Sequence, residues 1–156
     1  MFLENTLKYG KQFGWIEVVC GSMFSGKTEE LIRRLKRAKF AKLKVLIFKP
    51  IIDTRHKKSK IVSHDKNKIK CKTVKTANEI YKLAHKCDVV GIDEAQFFDD
   101  EIIEVCNGLA NSGVRVIVAG LDMDYTGKPF GPMANLMATA EYVTKVHAIC
   151  SKTGGL

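Results

Sequence analysis

Gly21-Ser-Met-Phe-Ser-Gly-Lys-Thr28 is the segment of this chain best suited to hold a polyphosphate. Such an anion needs several converging N–H donors, and backbone approaches that closely only where glycines leave room. In the spacing Gly-x-x-x-x-Gly-Lys-Thr, Gly21 and Gly26 shape the turn, and Ser22, Met23, Phe24 and Ser25 supply its peptide groups. Lys27 reaches the β- and γ-phosphates, and the Thr28 hydroxyl ligates Mg²⁺. A helix starting here presents its N-terminal dipole to the same charge. A second signal is Asp93-Glu94, which ends an apolar run. Asp93 can hold Mg²⁺ through water, and Glu94 has the position of a general base. Capping of the next segment is the bland reading of these acids, and the phosphate loop outweighs it. A proton taken from water would give an ATPase or GTPase; one taken from a substrate hydroxyl would give a kinase. Residue chemistry leaves both open.

Weaker candidates surround these. Asp53-Thr-Arg55 lies just past an apolar run, where Arg55 could neutralise charge on a transferred phosphoryl group. Met23, Phe97, Phe98, Leu121, Tyr125 and Phe130 fall in loops and suggest a flat pocket for a nucleobase, with packing under the loops as the alternative. His64-Asp65 reads as a coupled pair or a local turn, and His56, His85 and His147 as structural or solvated. Cysteines 20, 71, 87, 106 and 150 include no C-x-x-C pair and read as reduced thiols packed as small apolar residues, Cys150 excepted.

These groups need a scaffold. Residues 1–14 read as an irregular leader, and Trp15 to Cys20 as a strand entering the loop. The following helix has Glu29 and Glu30 at its positive end, Leu31, Leu35 and Ala38 on one face, and Arg33, Arg34, Arg37 and Lys39 further along. Val45 to Phe48 is a strand stopped by Pro50; short strands fit near Val62 and over Cys71 to Val74. Ile80, Leu83, Ala84 and Cys87 mark a helix, and Val89 to Asp93 is a third buried strand. Asp99 or Asp100 caps a helix with the face Ile102, Ile103, Cys106, Leu109 and Ala110, stopped by Gly113. Val114 to Ala119 is a fourth strand, a short helix covers 133–140, and Val143 to Ile149 is the last strand. Strands apolar on both faces, alternating with amphipathic helices, imply one α/β domain around a parallel sheet.

A chain of 156 residues, 46% hydrophobic, can bury its own core, which excludes global disorder. Its longest apolar runs are strand-length, far short of the roughly 18 residues of a membrane span, and the first residues lack a signal-peptide pattern. A cytoplasmic protein without a membrane partner is expected. The charge of +9 raises nucleic acid as a partner, yet 21 lysines stand against 5 arginines. Arginine is the preferred bidentate reader of phosphate and guanine, so the excess, with eight lysines between His56 and Lys75, reads as a solvated basic surface.

Six blocks of this sequence resemble the type II thymidine kinases. They are Gly21 to Leu31, Phe48-Lys-Pro-x-x-Asp-Thr-Arg55, Ser63-His-Asp65, Gly91-Ile-Asp-Glu-Ala-Gln-Phe-Phe98, Gly120-Leu-Asp-Met-Asp-Tyr125 and Lys128-Pro-Phe-Gly131. The resemblance runs from about Ile16 to Cys150. It implies a RecA-like P-loop NTPase core over 15–149, a mostly parallel sheet with helices on both faces. It also implies transfer of the ATP γ-phosphoryl group to the 5′-hydroxyl of thymidine, in nucleoside salvage for DNA synthesis. Carried over by position, Glu94 is the base, with Lys27 and Arg55 beside it. Asp93, Glu94, Ala95 and Gln96 join the loop around ATP, and Thr28 and Asp93 serve Mg²⁺. Met23, Phe97, Leu121, Tyr125 and Phe130 border the nucleoside. A homotetramer is implied as well.

The family continues with a small lobe holding zinc between two Cys pairs, and a loop from it closes over the nucleoside. Here Cys150 matches the first ligand, Thr153 stands at the second, and 150–156 reads as a lone remnant of that lobe. One thiolate cannot make a tetrahedral zinc site, so zinc is not expected, and activity impaired for want of a lid is. Two alternatives therefore stand beside the kinase: a non-catalytic ATP-binding module, and an ATPase stimulated by nucleic acid through the lysines of 57–75.

Overall fold

Consecutive valines flanked by Trp15 and Cys20 favour an extended chain with both faces apolar, and Trp15–Gly21 is strand β1. In the computed structural model, which describes residues 13–51, 60–62 and 68–156, α1 (Lys27–Phe40) follows the glycine-rich turn. Strands β2 (Val45–Pro50), β3 (Lys60–Val62), β4 (Lys68–Lys70) and β5 (Lys72–Val74) come next, then α2 (Ala77–Ala84) and β6 (Val89–Ile92). A 3₁₀ turn (Ala95–Phe97) leads to α3 (Glu101–Asn111), β7 (Arg115–Leu121), α4 (Met133–Thr139) and β8 (Tyr142–Val146). Six strands pair in the order β5-β2-β6-β7-β1-β8, every pairing parallel. β3 and β4 make a separate antiparallel pair. The expected leader residues 1–12 lie outside the described residues, as do Asp53, Arg55, His56, His64 and Asp65.

Two cores flank the sheet. On one face Ile16, Val18 and Val118 meet Ile80 of α2, Ile102 and Leu109 of α3, and Leu136 of α4. On the other, Val19, Ile117 and Ala119 meet Leu31, Leu35 and Ala38 of α1. This is the expected parallel sheet with helices on both sides. Parallel strands put all their carboxyl ends on one edge, so whatever follows β1, β2, β6 and β7 converges there.

Several sequence expectations shift. In α2 the buried stripe is Ala77, Ile80 and Ala84; Leu83 is exposed, and Cys87 follows the helix half-buried. In α3 Val105 is buried where Ile103 was expected to be; Asp100 holds the cap position, while the Asp99 Oδ1 accepts the Glu101 N–H at 3.1 Å. The last strand ends at Val146 rather than Ile149.

Arg34 is the larger correction. It was grouped with the cations of the helix end, yet only 4% of it is exposed. Its guanidinium donates to Glu30 at 2.7 Å, to buried Glu17 on β1 at 2.8 Å and to Thr144 on β8 at 3.1 Å. Glu17 is also paired with Arg115. A buried charge persists only when paired and hydrogen-bonded in this way.

The Arg33 guanidinium, with Arg34 behind it, holds the Glu30 carboxyl down at about 2. A carboxyl depressed by folding stabilises the fold above its unfolded value, and that contribution is lost as pH falls through the folded one. Stability is therefore expected to decline between pH 4.5 and about 2 in part through Glu30. Glu30→Gln is expected to flatten that decline and to cost about 1 kcal/mol at neutral pH, the figure reduced because water screens the Arg33 side. Urea unfolding of both proteins at pH 7 and pH 3 checks this.

Candidate active site

The turn between β1 and α1 begins at Gly21, whose φ is 145°; a Cβ there would lie 2.0 Å from the Val146 carbonyl oxygen. Only glycine lets β8 back directly onto the start of the loop. Phe24 adopts φ 59°, a left-handed conformation that non-glycine residues rarely take, and its ring is exposed. The Ser22 carbonyl accepts from the Ser25 hydroxyl at 2.7 Å and from the Lys27 ammonium at 2.6 Å, so Nζ lies over the loop. The helix opens at Lys27 after left-handed Gly26, placing Thr28 in its first turn. An anion in this turn meets the positive end of a 14-residue helix.

β7 separates β1 from β6, with Gly21 paired to Leu121 and Ile92 to Val118. The residues following β6 and β7 therefore emerge beside the phosphate loop. Asp93 is buried, its N–H donates to the Phe48 carbonyl at 2.9 Å, and its Oδ1 accepts the Glu94 N–H at 3.0 Å. Glu94 has φ 54° and is partly exposed, with Oε2 accepting from the Gln96 amide at 2.6 Å. Mg²⁺ takes hard oxygen ligands, keeps several waters and uses one or two protein groups with substrate phosphates. The Thr28 hydroxyl and Asp93 carboxylate are donors of that kind, and they fit it.

The aromatic candidates divide. Phe97 and Phe130 meet edge to face, ring centroids 5.7 Å apart, and the Phe130 N–H donates to the Asp122 carbonyl at 3.0 Å. Met23 is exposed on the loop and Leu121 half-buried at the end of β7. Tyr125 stands fully exposed at a turn fastened by Asp124, whose Oδ1 accepts the Thr126 and Lys128 N–H groups. Phe98 belongs to the core, so packing accounts for it; Ala95 is buried there too.

A sequence model of the family described as Thymidine kinase matches residues 14–155. The thymidine kinase of Bacteroides fragilis (strain YCH46) is 59% identical over 156 residues, covering 100% of this chain and 78% of that protein. That of Rhodothermus sp. (strain ITI 518) is 58% identical over 148 residues, 95% of this chain and 70% of its own. That of Porphyromonas gingivalis (strain ATCC BAA-308 / W83) is 56% identical over 154 residues, 99% and 76% respectively. The chain belongs to the thymidine kinase family. Membership selects between the reactions the residues left open: the enzyme is an ATP-using kinase acting on a nucleoside, not a hydrolase, and nothing favours a non-catalytic ATP-binding module.

The thymidine kinase site contains two sets of contacts that the sequence did not show, one at Asp122 and one at Gln96, which the sequence placed only beside ATP. Asp122, buried just past β7, has Oδ2 2.8 Å from the Lys145 ammonium of β8, an ion pair. Lys145 pairs with Cys20 in the β8–β1 register, so this contact crosses β1 directly behind the phosphate loop. Burial first, and then the Asp122 charge, push the Cys20 thiol up. Gln96 is the other: it is 3% exposed and also accepts the Leu121 N–H at 3.1 Å. The blocks containing Asp122 and Gln96 were visible in the sequence, but Lys145 and the Leu121 N–H that meet them lie on strands distant in the chain.

Zinc does not fit the residues present. Cys150 is exposed, and its hydrogen bond from the Thr153 side chain, with backbone bonds from Thr153 and Lys152, holds the thiol below the usual range. Among the described residues no three His, Cys, Asp or Glu gather to hold a metal ion. No described helix is long and apolar enough to cross a membrane.

Proposed function

We propose that the protein transfers the γ-phosphoryl group of ATP to the 5′-hydroxyl of thymidine, using Glu94 as base. The observation that carries this is the emergence of Glu94 and the 21–28 loop from one edge of a parallel sheet. In this reading Gly21, Ser22, Met23, Phe24, Ser25, Gly26, Lys27 and Thr28 bind the phosphates, with Asp93, Glu94, Ala95 and Gln96 beside them. Thr28 and Asp93 would hold Mg²⁺, which would offset the charge of the phosphates during transfer. Met23, Phe97, Leu121, Tyr125 and Phe130 border the thymine and sugar, and Arg55, outside the described residues, supports the transferred group.

Glu94 takes the proton from the 5′-hydroxyl as its oxygen attacks the γ-phosphorus. The new bond is O5′–P, the broken one joins the γ-phosphorus to the bridging oxygen, and ADP leaves. Lys27 keeps the β- and γ-phosphates in line. Positioning and charge stabilisation carry most of such a transfer.

Residues 15–149 form the kinase core and 150–156 correspond to the family's zinc lobe. The reading includes a homotetramer in the cytoplasm, with no nucleic-acid or membrane partner. Incubation with γ-labelled ATP and thymidine tests the activity: label is expected in thymidine monophosphate. Label released only as inorganic phosphate, or retained in ATP, would contradict it.

A further inference from the structure

We propose that Gln96 is a positioning residue, whose side-chain amide sets the Glu94 carboxylate and ties that setting to the strand end leading into the 122–131 loop. The proposal rests on the reading of Glu94 as the base. Both ends of the amide are engaged: Nε2 donates to Glu94 Oε2 at 2.6 Å, and Oε1 accepts from the Leu121 N–H at 3.1 Å. The orientation of the amide follows from its partners, since an ionised carboxylate only accepts and a backbone N–H only donates. With Gln96 3% exposed, water is poorly placed to replace either bond, and an orphaned buried polar group is costly.

Glu94 needs such a hold. Its backbone sits at φ 54°, in the left-handed region, so the short link from strand to turn aims its side chain unusually. A base acts only within hydrogen-bond reach of the proton and correctly oriented. With Oε2 held by the amide, the rotation of the carboxylate is set, and with it the direction of Oε1.

The acceptor side closes on the same residue. Gly131 has φ 52°, and a Cβ there would come within 2.4 Å of the Gln96 carbonyl oxygen. The 122–131 loop thus lies directly on the Gln96 backbone, while the Gln96 side chain holds Leu121 at the start of that loop. Phe97, the next residue, contacts Phe130. One buried amide therefore links the base to the strand end and loop that carry Leu121 and Phe130.

Gln96→Glu tests this with little change in shape. The new side chain still accepts from the Leu121 N–H, but it meets Glu94 with an acceptor in place of the donor. The second buried carboxylate is expected to lower the melting temperature without unfolding the protein, while the KM for ATP stays within about twofold and kcat for thymidine phosphorylation falls by about 10- to 100-fold. Gln96→Met, which lacks both polar ends, is the second arm and is expected to lose kcat as well at little-changed KM for ATP. A folded variant of either kind with wild-type kcat overturns the proposal. Glu94→Gln measured alongside separates the two claims. If it is inactive while Gln96→Glu runs at full rate, positioning alone is wrong; if Glu94→Gln keeps full rate, the base assignment falls and the proposal with it.

Discussion

Glu94→Gln is expected to lower kcat for thymidine phosphorylation by about 10²- to 10⁴-fold while leaving ATP affinity nearly unchanged. The substitution keeps the size of the side chain and its place at the end of β6, but an amide cannot take the hydroxyl proton. Glu94 adjoins Asp93 rather than forming part of the 21–28 loop, so the groups that grip the phosphates stay in place. Rapid-quench measurement of thymidine monophosphate, with ATP affinity from equilibrium titration, separates the two effects. A full rate would move the base elsewhere in the site.

Lys27→Ala is expected to act on the opposite parameter. The Lys27 ammonium sits over the loop, 2.6 Å from the Ser22 carbonyl, where it can transfer its hydrogen bond to a phosphate oxygen. Charge-assisted bonds of this kind are about twice as strong as neutral ones, and removing one such donor from a transition state costs about 10²- to 10³-fold. We expect kcat/KM for ATP to fall by about that factor, together with weaker binding of the nucleotide itself. Unchanged ATP affinity would show that the triphosphate does not lie in this loop. Together the two variants divide the site into a part that holds ATP and a part that moves the proton.

Much of the scaffold was legible in the sequence because its signals are local. β1, the loop and α1 follow from an apolar run, a glycine spacing and a one-face helical pattern lying within 26 consecutive residues, Trp15 to Phe40. The position of Asp93-Glu94 was legible too, since a short Val-Val-Gly-Ile run announces a buried strand.

What escaped depends on register between distant segments. Arg34 looks like any helix cation until pairing of β1 with β7 and β8 brings Glu17, Arg115 and Thr144 around it. Gln96 gains its meaning only when β6 and β7 align and place the Leu121 N–H beside the 3₁₀ turn. Phe97 and Phe98 are neighbours of one type, yet the turn directs one toward Phe130 and the other into the core. Leu83 misled because helical periodicity tolerates a residue just off the buried stripe of α2.

A crystal structure with a non-hydrolysable ATP analogue and thymidine tests the central claim most directly. Triphosphate density is expected within residues 21–28, with the Glu94 carboxylate within hydrogen-bond reach of the thymidine 5′-oxygen and the Gln96 amide still on its other oxygen. Nucleotide bound away from that loop, or a 5′-oxygen facing some other side chain, would contradict it.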